Sequence, residues 1–320
     1  MAIFDCFTFF NELDLLEMRF EMLSPCVDHF VLVESSKTHH GEDKPLYYFD
    51  NRELYKAYWD KIIYVQVNDP PRYKGETDMG IVNFLRNCIM RGLVEKCRPD
   101  DLVIVSDVDE IPNPEILKHI RTQRISLYAN RGSWKRRLRQ YLRTWAMFSG
   151  EFIKSISRSG GFTVDELLNY TPISLEYDLF YYYMDCKSRA KWLGPYIAKY
   201  SHMMMPHEPR ELAYQRQLPV VGDAGWHFSY LGGLTAVKAK LAALSDPDPE
   251  LEKKIRAAGS SDGYIRKCLD EGVDILGRKG KEYEFHFIDK SLIGIKDIAK
   301  YEKKYPLFLS GYKMGDIIKR

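Results

Sequence analysis

Two periodicities alternate along the first third of the chain, and the switches between them mark its elements. Ile3 to Phe10 is a near-continuous apolar run of strand length, broken by Asn11-Glu12. Leu13, Leu16, Phe20 and Leu23 then recur at helical spacing until Ser24-Pro25 ends the helix. Val27 to Val33 reads as a second strand closing at Glu34-Ser35, and Ile62 to Val67 as a third. A helix is predicted from about Ile81 to Cys97, followed by the β-branched run Leu102 to Val105 as a fourth strand. Strands alternating with helices at short intervals predict an α/β fold, a mostly parallel sheet with helices on both faces. The strand ends at Asn11-Glu12, Glu34 and Asp107 then fall along one edge, where such sheets bind ligands.

The fourth strand carries the candidate chemistry. It ends in Asp107-Val108-Asp109-Glu110-Ile111-Pro112, and the proline is expected to stop further pairing. Residues i and i+2 of an extended segment point the same way, so Asp107 and Asp109 are expected to present two carboxylates to one point. That arrangement suits a hard divalent cation that also holds phosphate oxygens. A second pair, Asp246-Pro247-Asp248, sits among prolines with no strand before it and reads as a solvated turn. No G-x-G-x-x-G follows the first strand and no G-x-x-x-x-G-K-[ST] occurs, which disfavours dinucleotide and P-loop readings.

Length and composition bound the rest. The 320 residues suffice for one large domain, and the apolar and charged fractions of 45% and 29% are those of an ordinary globular protein. No segment is apolar enough to span a bilayer, and Met1 to Asp5 offers no basic region before an apolar core. Six scattered cysteines without C-x-x-C spacing argue against zinc and for reduced thiols, so a cytoplasmic location is expected. The net charge of +2 is uneven: residues 131–158 hold eight Lys/Arg against Glu151, or +7, leaving −5 for the remainder.

Four ordered stretches resemble glycosyltransferase family 17, the family of the bisecting β-1,4-mannosyl-glycoprotein N-acetylglucosaminyltransferases. They are Phe9 to Arg19; Val33-Glu34-Ser35 continuing to Pro45-Leu46; Ser106 to Pro112; and Gly225-Trp226-His227-Phe228-Ser229. The resemblance covers roughly residues 3–120 and 176–290. It implies a GT-A-like nucleotide-sugar transferase fold over residues 1–320, with a nucleotide-sugar-binding half (1–120), a basic amphipathic insertion (121–175), an acceptor-side half (176–290) and a C-terminal helical tail (291–320). It implies an inverting transfer from a UDP-sugar, with N-acetylglucosamine as the relatives' donor sugar, to a saccharide acceptor. Asp107 and Asp109 would hold Mn²⁺, with Mg²⁺ as the alternative, against the donor diphosphate, and His227 would complete the metal shell or touch the diphosphate. Glu12 and Glu34, with Asn11 and Ser35 beside them, would face the uracil and ribose, or else cap helices and loops.

Other candidates are read from their surroundings. Arg86-Asn87 precedes the fourth strand, where a guanidinium could fork onto a metal-site carboxylate or a phosphate, or lie on the helix surface. Trp192 and Gly194, after a tyrosine-rich run, could floor a sugar site or fill the core. The general base that inversion requires is sought among Asp262, Glu208 and Asp185, with Asp262 ranked first.

Between Ile120 and Glu176 no family motif is found. Trp134, Leu138, Tyr141, Leu142, Trp145 and Phe148 make an apolar stripe opposite Arg131, Lys135, Arg136, Arg137, Arg139 and Arg143. Docking of this helix on the domain is the preferred reading. Peripheral contact of residues 130–158 with an anionic membrane comes second and an acidic glycan third, and no nucleic acid is expected as a partner. The rival function from another class is a catalytically silent carbohydrate- or nucleotide-binding protein with the same fold; a hydrolase using the same carboxylates is a weaker third.

Overall fold

The computed structural model describes residues 1–38, 41–70, 79–125, 162–203, 205–243 and 249–311. The basic segment 130–158 and the Asp246-Pro247-Asp248 turn both lie outside the described residues.

A ten-stranded sheet forms the centre. Its strands are β1 (Ile3–Phe9), β2 (His29–Ser35), β3 (Ile62–Val67), β4 (Leu102–Asp107) and β5 (Glu110–Pro112), then, after a small separate pair β6 (Arg124–Ile125) and β7 (Phe162–Thr163), β8 (Ile173–Tyr181), β9 (Cys186–Trp192), β10 (Tyr196–Lys199), β11 (Val220–Ser229) and β12 (Phe285–Phe287). The order along the sheet is β12-β9-β8-β10-β4-β1-β2-β3, with β11 paired to β8 and β5. Strands β3, β2, β1 and β4 pair in parallel, and β11 is parallel to β8. Because β10 is antiparallel to both β4 and β8, β8 and β11 run in the same direction as β4. The carboxyl ends of β1, β2, β4 and β11 therefore share one edge, as the alternation of elements predicts for the first four strands.

Strand burial follows the pleat. Phe4 and Cys6 of β1 join Val31, Val33, Val103 and Val105 in one core layer, against the helices Met79–Asn87 and Ile89–Leu93. Phe7 and Phe9 join Phe30, Leu32, Leu102 and Ile104 in the other, against the helix Leu13–Leu23. The helix expected over Ile81–Cys97 is thus two helices that meet at Cys88.

Pairing resumes after the turn and ends at the proline, as expected: β5 pairs antiparallel with β11, placing Gly225 opposite Pro112 and His227 opposite Glu110. Pro112 is tolerated because it ends a three-residue strand, where one missing N–H interrupts little. Residues 173–199 and 220–229 extend the same sheet as β1–β4. Residues on either side of the expected insertion meet in the β6–β7 pair, and Thr163 and Glu166 form a capping box on the helix Val164–Leu168. Of the expected C-terminal tail, Ile298–Lys304 is helical, with short 3-10 turns either side at Lys290–Leu292 and Pro306–Phe308.

Gly225 shows how tightly β11 closes on β5. A Cβ there would lie 2.4 Å from the Ile111 carbonyl oxygen and 2.7 Å from the Tyr177 ring. Backbone cannot yield as a flexible side chain does, so Gly225→Ala is expected to destabilise the fold by about 1–3 kcal/mol. The check is the urea midpoint of the variant, and an unchanged midpoint would show that the β5–β11 contact is looser than described.

Candidate active site

The site begins with a charge inside an apolar strand. Asp5 is fully buried in β1, between Phe4 and Cys6. Its partner is Arg19, fully buried on the helix Leu13–Leu23. The guanidinium forks onto the carboxylate, Nε to Oδ2 at 2.8 Å and Nη2 to Oδ1 at 2.6 Å. Nη2 also donates to Ser106 Oγ at 2.7 Å, and Nη1 to the carbonyls of Asp107 (2.9 Å), Val108 (3.2 Å) and Glu110 (2.9 Å). Arg19 therefore holds the main chain of the β4–β5 turn, and its plane lies over the Phe7 ring at 4.3 Å. Fork geometry and permanent charge make arginine the residue able to satisfy so many fixed acceptors at once.

That turn separates the two aspartates. Val108 and Asp109 are turn residues, so the i, i+2 rule for an extended chain does not apply to them. Asp107 Oδ2 receives Nη2 of Arg86 at 2.9 Å and Nη2 of Arg210 at 2.8 Å, and Thr8 Oγ1 donates to Oδ1 at 3.2 Å. Asp109 Oδ2 instead takes Lys240 Nζ at 2.8 Å and faces His227 Nε2 at 3.6 Å. Burial alone would raise the Asp107 carboxyl, but the charges of Arg210 and then Arg86 hold it well below the usual range. Burial opposes ionisation of Asp109 too, and Lys240 and then His227 reverse it. For Lys240, burial disfavours the ammonium, but Asp109 and then Glu12 raise it above its ordinary value.

Glu110 locks the assembly from behind. It is fully buried, accepting from Arg210 Nη1 and Nη2 at 2.7 Å each, from Trp192 Nε1 at 2.6 Å and from the Asp107 N–H at 2.7 Å. Trp192 also sets its ring against His227 with centroids 4.5 Å apart, and meets Tyr214 edge-on. A Cβ at Gly194 would come within 2.8 Å of the Tyr214 ring, so the glycine permits that approach.

In front of Asp109 opens a cavity of about 420 Å³. Asn11, Glu12, Leu13 and Asp14 line it from the end of β1, Phe228 and Tyr230 from the end of β11, and Lys240 from the helix Gly233–Ala243. Charged and apolar walls at the carboxyl edge of a mostly parallel sheet are the usual setting of a small-molecule site.

The remaining candidates separate. Glu34 is fully buried, and its carboxylate accepts the N–H groups of Tyr48 (3.0 Å) and Phe49 (3.3 Å) and the hydroxyl of Tyr64 (2.9 Å); its work is to hold the following loop, not to face an open cavity. Ser35 accepts from the Lys37 N–H at 3.0 Å, closing a local turn, and Asn87 accepts from the His207 N–H at 3.2 Å, tying its helix to the start of the helix His207–Tyr214. None of the three base candidates lines the cavity. Asp185 is buried and holds Ser310 through its N–H (3.0 Å) and Oγ (2.5 Å), Asp262 pairs with Lys238 at 2.7 Å, and Glu208 sits in the first turn of the helix His207–Tyr214. The carboxylates that do line it beside Asp109 are Glu12 and Asp14.

Asp107, Asp109 and His227 do not form the expected three-ligand set: among the described residues no group of three or more His, Cys, Asp or Glu could hold a metal. Asp107 is already neutralised by two guanidiniums. Asp109 and His227 bring facing donor atoms to 3.6 Å, with Lys240 on the same carboxylate oxygen. Arg19, Glu110, Arg210 and Lys240 escaped the sequence reading. The signal for Arg19 was present as an arginine among Leu15, Leu16, Met18 and Phe20; Arg210 and Lys240 join the site from over a hundred residues away and left none.

The chain's first 151 residues match the family model described as Glycosyltransferase family 17. Among curated proteins it is similar to the Beta-1,4-mannosyl-glycoprotein 4-beta-N-acetylglucosaminyltransferase of Homo sapiens and that of Rattus norvegicus, 36% identical over 109 residues in each case. The Mus musculus protein of that name is 35% identical over 109 residues. Each alignment covers 32% of this chain and 20% of the relative, so the chain aligns with about a fifth of the length of the curated relatives it matches. The family-model match contains Asp5, Arg19, Arg86, Asp107, Asp109 and Glu110, and ends before Trp192, Arg210, His227 and Lys240.

Replacing Arg19 with Met would leave Asp5 buried without its counter-charge, and the loss expected is about 3–5 kcal/mol by chemical denaturation. A loss under 1 kcal/mol would refute its role as the clamp of the turn. Acid should act through the two aspartates. Their folded carboxyls lie lower than those of the unfolded chain, so the unfolded state takes up protons first as pH falls below about 4. The stability they contribute is complete above that pH and declines toward lower pH, and Asp109→Asn is expected to make the decline in urea-unfolding free energy between pH 5 and 3 shallower.

Proposed function

We propose that the protein is a glycosyltransferase with a GT-A-like fold that moves a sugar, N-acetylglucosamine in our reading, from a UDP-sugar to a saccharide acceptor, a glycoprotein glycan being the acceptor class suggested by the relatives' names. The observation that carries the proposal is the cavity at the carboxyl edge of the sheet, where Asp109 meets Lys240 beside the family-matched residues Asn11 and Glu12. The order β3-β2-β1-β4, with the aspartates at the end of β4, supports the GT-A assignment.

Transfer of a glycosyl group leaves a nucleoside diphosphate carrying the negative charge of the departing oxygen, and catalysis lies largely in stabilising that charge. Asp109 and His227 would hold a divalent cation, Mn²⁺ or Mg²⁺, which when bound supplies Lewis-acid neutralisation of the diphosphate. Lys240 adds a positive charge at the same wall. Asp107 stays paired with Arg86 and Arg210, and positions the turn. With inversion, the acceptor hydroxyl attacks the anomeric carbon, the bond from that carbon to the phosphate oxygen breaks, and the nucleoside diphosphate departs with the electron pair. The hydroxyl proton passes to a carboxylate; Glu12 and Asp14 line the cavity and replace Asp262, Glu208 and Asp185 as candidates for that base. Partial burial, and then Glu17, raise the Asp14 carboxyl, a direction that suits a proton acceptor.

The test is nucleotide-sugar turnover. With Mn²⁺ present, UDP-N-acetylglucosamine is expected to raise the melting temperature and to be consumed only when a saccharide acceptor is supplied. Asp109→Asn should lower kcat by roughly 100-fold or more while keeping the fold. Unchanged turnover in that variant, or sugar release at the same rate without acceptor, would overturn the reading.

A further inference from the structure

The parallel strands β8 and β11 end side by side, and each is followed by a tyrosine in left-handed backbone. The Tyr182 N–H donates to the Ser229 carbonyl at 2.9 Å, so pairing runs to the last residue of both strands. Tyr182 then takes a φ of 67° and Tyr230 a φ of 58°, values that bulky side chains rarely adopt. Tyr182 is fully buried, and its hydroxyl donates to the Val273 carbonyl at 2.8 Å, so its ring serves the core. Tyr230 differs: of the five described non-glycine residues with positive φ, it alone lines the cavity in front of Asp109. A glycine would adopt that backbone without strain, as Gly232 and Gly233 do directly after it. Strain of this kind persists where the surroundings over-determine it, and here they fix the ring. The Tyr230 hydroxyl is hydrogen-bonded to Tyr181, whose ring lies 5.0 Å away. Arg278, itself held by Asp274 at 2.7 Å, donates to the Tyr181 hydroxyl at 3.2 Å.

We propose that Tyr230 is the platform on which the sugar ring of the donor stacks, and so a specificity-determining residue of the cavity. The inference rests on the nucleotide-sugar reading of that cavity. A pyranose has a face of C–H groups and a rim of hydroxyls, and it is recognised by an apolar plane bordered by polar groups. Those features meet at Tyr230. Lys240 Nζ lies 5.2 Å from its ring centre and 2.8 Å from Asp109 Oδ2, so a sugar on the ring has a carboxylate to accept from its hydroxyls and an ammonium to donate to them. The helix Gly233–Ala243 lines the cavity with the short side chains of Thr235, Ala236 and Ala239, which leaves room beside the ring. Trp192, expected as the floor of a sugar site, does not line the cavity, and its Nε1 donates to Glu110 at 2.6 Å. A ring already anchored through its hydroxyl and its backbone loses little freedom when a ligand stacks on it.

The experiment is isothermal titration calorimetry of the full chain with UDP and with UDP-N-acetylglucosamine, with Mn²⁺ in the buffer throughout. Comparing the two ligands separates contact with the sugar from contact with the nucleotide. Tyr230→Gly and Tyr230→Asn both suit left-handed backbone and remove the ring. Each is expected to bind UDP-N-acetylglucosamine about tenfold more weakly than the wild type, and UDP within about twofold of it. Tyr230→Phe keeps the ring and should bind both ligands as the wild type does. Circular dichroism melting accompanies every variant. Equal losses for UDP and UDP-N-acetylglucosamine, an unchanged affinity for both in the ringless variants, or a loss in Tyr230→Phe as large as theirs would each refute the stacking role while the nucleotide-sugar reading survives. Failure of both ringless variants to fold would make Tyr230 a residue of the fold and overturn the proposal too. If the wild type binds neither ligand, the nucleotide-sugar reading falls and the proposal with it.

Discussion

Everything at this site depends on the buried ion pair between Asp5 and Arg19. Each side chain alone would be intolerable at its position, one inside an apolar strand and the other on an apolar helix face. Together they satisfy one another, and the guanidinium has donors left over. Those donors reach three carbonyls of the turn after β4. A loop that must project two carboxylates cannot also rely on sheet pairing to hold its backbone. Here an arginine replaces the missing ladder bonds, and the direction in which Asp107 and Asp109 leave the turn is fixed from inside the core.

From that fixed turn the charges divide into two sets. Asp107 and Glu110 turn toward Arg210, with Arg86 closing on Asp107, in a buried assembly whose charges are paired and whose carboxylates are well supplied with donors. Such a cluster suits a rigid support better than a ligand site, because every group taken away from its partner would leave a buried charge behind. Asp109 faces the cavity, where its partners are a flexible lysine and a histidine beyond hydrogen-bond distance. One aspartate of the D-x-D triplet thus serves the scaffold and the other the cavity, a division that follows from the turn between them.

Much of the sheet was legible in the sequence because its strands are buried on both faces and read as continuous apolar runs. Ile62–Val67 was bounded correctly, and Leu102–Val105 only lacked its last two residues. The break at Cys88 was not legible, since a helix that bends around a core keeps its apolar face across the bend. Asp109 and His227 were readable as candidates from their local runs. Their separation from Asp107 was not, because the turn at Val108-Asp109 interrupts what reads in the sequence as one extended segment. Glu34 looked like a ligand-facing strand end and proved to be a buried acceptor for Tyr48 and Phe49, a role that depends on a loop folding back over it. Arg210 lies in a polar helix and Lys240 in an alanine-rich one, and only the fold brings them to Asp107, Glu110 and Asp109.

The cavity is assembled from two parts of the chain with different relations to known proteins. Asn11, Glu12 and Asp109 come from the segment that matches the family, while Phe228, Tyr230 and Lys240 come from beyond it. β11 joins them, because its pairing with β5 sets His227 opposite Glu110 and its end carries Tyr230 to the cavity wall. Tight closure at Gly225 fixes that register, so the position of His227 relative to Asp109 is set by backbone contact and not by the side chains themselves. The anionic half of the site is therefore tied to the family-matched sheet, and its lysine is carried by the helix that follows β11. Asp109 and Lys240, which meet across that division at 2.8 Å, are brought together by the fold and not by proximity in the chain.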